Sequence, residues 1–121
     1  MAKSIRKQGV SRMKMARVIL FTAQMDAMSR FYGETLGLKQ VSEEKGWREF
    51  AAGGTRIALH SGPASPGRKG PKIVFYAKDV AAERAKLVAR GARFGKIKDW
   101  DPLQLCDGKD PDGNPIQLSN R

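Results

Sequence analysis

The chain has 121 residues, with 23 Lys and Arg against 12 Asp and Glu, giving a formal net charge of +11. That length fits one domain with one modest core and is too short for two independent domains. Hydrophobic residues make up 40% and charged residues 29%, which excludes wholesale disorder, and the single cysteine, Cys106, excludes an internal disulfide and the multi-cysteine zinc patterns.

Residues 1–15 read as a flexible basic arm, in which Lys3, Arg6, Lys7, Arg12 and Lys14 have no acidic companion. Such an arm serves solubility or meets a polyanion. No aromatic residue interleaves with the basic ones to stack on bases, so nucleic acid is the weaker alternative. The apolar run from Ala16 to Ala23 is too short for a membrane span and lacks a secretion cleavage site. A cytoplasmic protein without membrane contact is expected. Val18 to Thr22 predict a dense apolar strand, buried on both faces or nearly so. Met25, Met28, Phe31, Tyr32 and Leu36 recur at helical spacing up to Gly37, a residue suited to a left-handed cap. Strands follow at Lys39–Ser42, Trp47–Ala51 and Arg56–His60, with turns at Gly46 and Gly53-Gly54. The segment 62–71 is rich in glycine and proline and reads as a linker.

The second unit starts at Lys72 with the apolar strand segment Lys72–Ala77. Asp79 is placed to cap a helix, with Glu83 in its first turn, Lys86 and Arg90 in its last, and Val80, Leu87 and Val88 as its buried stripe. Gly91 ends it. Arg93–Ile97, Leu103–Cys106 and Ile116–Ser119 read as strands, the last preceded by the turn sequence Asp110-Pro111-Asp112-Gly113-Asn114.

The two units repeat each other. Arg17-Val18-Ile19-Leu20-Phe21-Thr22 matches Lys72-Ile73-Val74-Phe75-Tyr76-Ala77, and Gly54-Thr55-Arg56-Ile57-Ala58-Leu59 matches Gly113-Asn114-Pro115-Ile116-Gln117-Leu118. The expected fold is α+β: a single domain, 16–121, of two βαβββ modules (16–61 and 72–120) joined by the linker. The mixed sheets carry helices on one face, and their other faces curve around a shared cleft.

Three segments resemble the vicinal oxygen chelate superfamily, which includes glyoxalase I, bleomycin-resistance proteins and extradiol dioxygenases. They are Ser29-Arg30-Phe31-Tyr32-Gly33-Glu34-Thr35-Leu36-Gly37-Leu38, the hairpin Gly53 to Leu59, and Asp110 to Leu118. The resemblance covers about residues 16–120 and implies a homodimer. It also implies where metal-dependent members carry their ligands: on the first and last strand of each unit, here Arg17, Ala58, Lys72 and Gln117. Arginine does not deprotonate in practice, lysine holds its proton, alanine has no donor atom, and a neutral amide is a weak ligand. His60, the only histidine, supplies one ligand at most. A metal-free member without a cofactor is therefore expected.

In that alignment the cleft carries Arg17, Phe21, Trp47, His60, Lys72, Tyr76 and Gln117. These combine apolar and aromatic surface with cationic or neutral donors, which suits a small anionic organic ligand. Arg17 would clamp a carboxylate, Lys72 would act as a point charge, and Tyr76 and Trp47 would stack on a planar ring. The bland alternative leaves Arg17 and Lys72 in solvent or paired with Glu49 or Asp99. Binding without turnover is favoured because no paired carboxylates and no nucleophile–base spacing occur. The enzymatic alternative is a metal-independent isomerase or lyase using Tyr76, His60 or Lys72 for proton transfer.

Overall fold

The computed structural model describes Arg12, residues 14–66 and residues 71–121. The basic arm lies almost wholly outside these residues, as do positions 67–70 of the linker. In the first unit, β1 (Val18–Thr22), β2 (Gln40–Glu44), β3 (Trp47–Ala52) and β4 (Thr55–Ser61) form a sheet in the order β1-β4-β3-β2. In the second, β5 (Ile73–Tyr76), β6 (Arg93–Phe94), β7 (Lys98–Trp100), β8 (Leu103–Lys109) and β9 (Pro115–Ser119) form a sheet in the order β5-β9-β8-β6, with β7 also paired to β8. In both sheets the first and last strands of the unit run parallel, since a helix and antiparallel strands intervene between them. All other pairs are antiparallel.

The register bears out the repeat read from sequence. Ile19 lies opposite Ala58 and Val74 opposite Gln117, so Arg17 corresponds to Lys72 and Phe21 to Tyr76. The same correspondence makes Glu49, opposite Ala58, the counterpart of Asp107, opposite Gln117.

Alternation along the strands divides each sheet into two faces. Ile57, Leu59, Ile116 and Leu118 point into one core, together with Met28, Phe31, Tyr32 and Phe50 from the first unit and Val80, Leu87, Phe94 and Cys106 from the second. The intervening residues face the other way. Here β1 departs from the sequence expectation: Ile19 and Phe21 are exposed rather than buried, because the described residues leave that face uncovered.

The first helix is also shorter than its periodicity suggests. Helix α1 (Met25–Arg30) passes into a π-helical turn, Phe31–Thr35, closed by the amide of Leu36 on the Phe31 carbonyl at 2.8 Å. Gly33 lies in this turn, where an added Cβ would stand 3.0 Å from the Phe50 ring. Close approach of turn to sheet thus needs the missing side chain. Gly37 follows with φ +79°, the left-handed geometry expected of it.

Helix α2 (Val80–Ala89) is capped as predicted, Asp79 Oδ1 accepting from the Ala82 amide at 3.0 Å. Gln24 does not cap α1; its side-chain amide donates instead to Asp112 Oδ1 at 2.6 Å. Val88, expected in the buried stripe, is exposed. The predicted strand Arg93–Ile97 is only Arg93–Phe94, and the chain pairs with β8 again from Lys98.

Two further contacts tie the units together. The buried Tyr32 hydroxyl donates to Asp110 Oδ2 at 2.8 Å, and Arg90 reaches the Thr35 carbonyl at 3.2 Å. The turn sequence explains why Asp110 is in place. Its Oδ1 accepts from the amides of Asp112 and Asn114, and its Oδ2 also accepts from the Asn114 side chain. Burial first, then the neighbouring Asp110 carboxylate, pushes the Tyr32 phenol upward, so it remains a donor. No helix among the described residues is long and apolar enough to cross a membrane.

Candidate functional site

The residues predicted to line the cleft fall into two groups, one on each sheet. On the first sheet, Glu49 stands at the centre of β3 with its side chain almost fully buried. Its Oε2 accepts from Arg17 Nε at 3.2 Å and from Arg56 Nη1 at 3.3 Å, and its Oε1 accepts from Trp47 Nε1 at 3.2 Å. Burial alone would push this carboxyl up. The hydrogen bonds from Arg17, Arg56 and Trp47 together outweigh burial and hold it below its ordinary range. Beside this cluster lies an aromatic corner. The rings of Phe21 and His60 are 5.1 Å apart, and those of His60 and Trp47 are 6.0 Å apart edge to face. Phe21 and His60 meet because they are register partners in β1 and β4, as Trp47 and His60 are in β3 and β4.

The second sheet repeats the plan with different residues. Asp107 on β8 accepts from Gln117 Nε2 at 2.8 Å and Lys72 Nζ at 2.9 Å, with Lys98 Nζ at 3.6 Å from its other oxygen. The hydrogen bond from Gln117, then that from Lys72, holds its carboxyl below the usual range. Tyr76, Val74 and Trp100 are exposed on this sheet, at 68%, 50% and 60%.

Each unit therefore carries one carboxylate at corresponding positions, held by two cations, of which Arg17 and Lys72 also correspond while Arg56 and Lys98 do not. Sequence reasoning considered Glu49 as a partner of Arg17, and the structure pairs them. It offered Asp99 for Lys72, and the partner is Asp107 instead. Asp99 sits on β7 and accepts from Gln104, whereas Asp107 lies in β8 directly across from Gln117. The missed signal was available: once Ala58 and Gln117 are matched, the antiparallel hairpins put Glu49 and Asp107 beside them. Lys98 was likewise left out of the site.

Arg17, Phe21, Trp47 and His60 are thus brought together, and so are Lys72 and Gln117. Among the described residues no hydrogen bond or ion pair joins the two groups. A cavity of about 970 Å³ lies elsewhere, between α2, β6, β8 and the turn at 110–113, and contains none of the seven predicted residues. A smaller one, about 480 Å³, adjoins the β2–β3 turn and contains none either. The seven line open sheet faces.

The chemistry of these donors does not suit a divalent metal. The two carboxylates stand on different sheets, each already engaged by two cations, and Ala58, opposite Glu49, has no donor atom. No cluster of three or more His, Cys, Asp or Glu able to hold a metal occurs among the described residues.

Paired βαβββ units with one helix-covered and one open face per sheet define a recognised class of α+β protein. The family model of the Glyoxalase/Bleomycin resistance protein/Dioxygenase superfamily matches residues 14–118. The chain belongs to that superfamily. No curated protein sequence matches it. Several solved structures share the fold. TnmS3, an antibiotic binding protein from Streptomyces sp. CB03234, is 22% identical with a TM-score of 0.74, over 91% of this chain and 97% of that one. A lactoylglutathione lyase from Agrobacterium tumefaciens is 20% identical with a TM-score of 0.70, over 88% and 92%. A glyoxalase/bleomycin resistance protein/dioxygenase from Nocardioides is 20% identical with a TM-score of 0.75, over 92% and 85%. At these identities the likeness establishes the fold and leaves activity to be argued from the site.

Proposed function

We propose that the protein is a metal-free binding protein for a small anionic organic ligand, held between the open face of one sheet and that of the other unit. The observation that carries this is the doubled constellation itself. Each open face has two cations around one carboxylate, Arg17 and Arg56 around Glu49, Lys72 and Lys98 around Asp107. Each of these clusters thus keeps one positive charge in excess, beside exposed aromatic or aliphatic side chains. Apolar surface with a few convergent polar groups is what small-molecule sites offer, and a net cationic lining selects an anion. The antibiotic binding named for TnmS3 is compatible with a member of this fold that binds without chemistry.

The opposing face comes from a second copy of the chain. Strands β1 and β5 are edge strands, and Ile19, Phe21, Val74 and Tyr76 on them are exposed at 42%, 51%, 50% and 68%. Neighbouring exposed apolar side chains along open sheet edges are uncommon on a monomer surface. Pairing two copies would cover them and close a site over the ligand.

A thermal-shift screen of planar organic acids against matched organic cations tests the proposal, with Ni²⁺, Mn²⁺ and Zn²⁺ added separately. Acids should raise the melting temperature by mass action, and Arg17→Ala should weaken that effect. Stabilisation by metal alone, or by cations and not acids, would overturn it. Analytical ultracentrifugation of wild type and Tyr76→Asp tests the pairing: a dimer is expected for the first and a folded monomer for the second.

A further inference from the structure

The aromatic corner of the first sheet contains a hydrogen-bond acceptor whose identity the fold fixes. His60 Nδ1 lies 2.8 Å from the backbone carbonyl oxygen of Ser61. A carbonyl oxygen can only accept, so Nδ1 carries the proton. In the neutral ring the second nitrogen, Nε2, is then bare and can only accept. Among the described residues nothing donates to it. The obvious neighbouring donor is already committed, since the Trp47 indole N–H goes to Glu49 at 3.2 Å. The ring is held in place on two sides, by Phe21 at 5.1 Å and by Trp47 edge-on at 6.0 Å. The side chain is nevertheless exposed, on the open face of β4 that carries Arg56.

Three complementary requirements therefore meet on one sheet face: cations for an anionic group, aromatic surface for a planar ring, and a bare imidazole nitrogen for a donor. We propose that the ligand class of this face is a planar aromatic acid bearing a hydroxyl or N–H group, a phenolic acid in the simplest case, whose donor hydrogen-bonds to His60 Nε2. This rests on the ligand-binding role assigned above and narrows it. A ligand with only acceptors at that end, an aryl ether or a nitro group, would leave Nε2 desolvated and unpaired, which is the stronger source of discrimination.

The test is isothermal titration calorimetry at pH 8 with 6-hydroxy-2-naphthoate and 6-methoxy-2-naphthoate, on wild type and on His60→Phe. The two acids share ring and carboxylate and differ in the donor. One hydrogen bond of ordinary net strength corresponds to about fivefold in affinity. Wild type should prefer the hydroxy acid by about that factor. The His60→Phe protein keeps an aromatic ring in the corner and should bind both acids alike. Equal affinity in wild type, or a preference that survives in His60→Phe, overturns the assignment to His60 while leaving anionic ligand binding intact. Failure of both naphthoates to bind wild type refutes the phenolic-acid class, and the wider screen of acids then decides the broader proposal separately.

Discussion

Glu49→Gln is the most informative single substitution. It keeps the size of the side chain and removes the charge that Arg17 and Arg56 share. The carboxylate is nearly buried, with a side-chain exposure of 6%, so its three hydrogen bonds matter to the native state. Removing one partner of a well-buried ion pair costs ~3–5 kcal/mol. The arginine side chains here are 41% and 50% exposed and can rehydrate, and glutamine keeps one acceptor. Discounting for that screening leaves a loss of about 2 kcal/mol. For a domain of this size that corresponds to about 8 °C in melting temperature. The sign of the pH dependence follows from the shift. Folding lowers the Glu49 pKa below its ordinary 4.5, so its stabilisation is present above that pH and is lost as pH falls through the folded value. Calorimetric melting of both proteins from pH 7 to pH 3 should therefore show a gap that narrows on acidification. A gap below about 2 °C at pH 7, or one that stays constant down to pH 3, would refute the account of Glu49 as the held centre of this face.

Tyr32→Phe removes the buried hydroxyl that reaches Asp110 across the two units. A loss of ~1–3 kcal/mol is expected in chemical denaturation, because the buried Asp110 Oδ2 loses one of its two donors, with no change in naphthoate affinity. Gly108→Ala would place a Cβ 2.5 Å from the Arg93 carbonyl oxygen, a backbone atom that cannot move aside without parting β6 from β8. Overpacking of this kind costs ~1–3 kcal/mol, and hydrogen exchange at the Phe94 and Gly95 amides should accelerate relative to those of β9.

Much of the scaffold was legible because each signal is local. The repeated strand segments, the Asp79 cap, the glycine at φ +79° after the first helix, and the Asp110 turn each follow from residues close in sequence. The correspondence between the units was implicit as well, since matching Arg17–Thr22 to Lys72–Ala77 aligns the positions that the two sheets place alike. The errors arose where the outcome depends on what lies across space. Periodicity marks Ile19 and Phe21 as apolar but cannot say that the described residues leave their face uncovered. Helical spacing through Leu36 gives no hint that the turn widens around Gly33 where it meets Phe50.

Sequence by itself determined the doubled βαβββ plan and the absence of metal-suited residues at the four strand positions, because chain order and side-chain chemistry are properties of the chain. Only the tertiary structure decided that Arg17 and Lys72 are each tied to a carboxylate of their own sheet, that the His60 ring packs against those of Phe21 and Trp47, and that the predicted site is divided between two open faces. Those outcomes depend on register between strands remote in sequence and on which faces remain uncovered, and both are fixed only when the sheets pack.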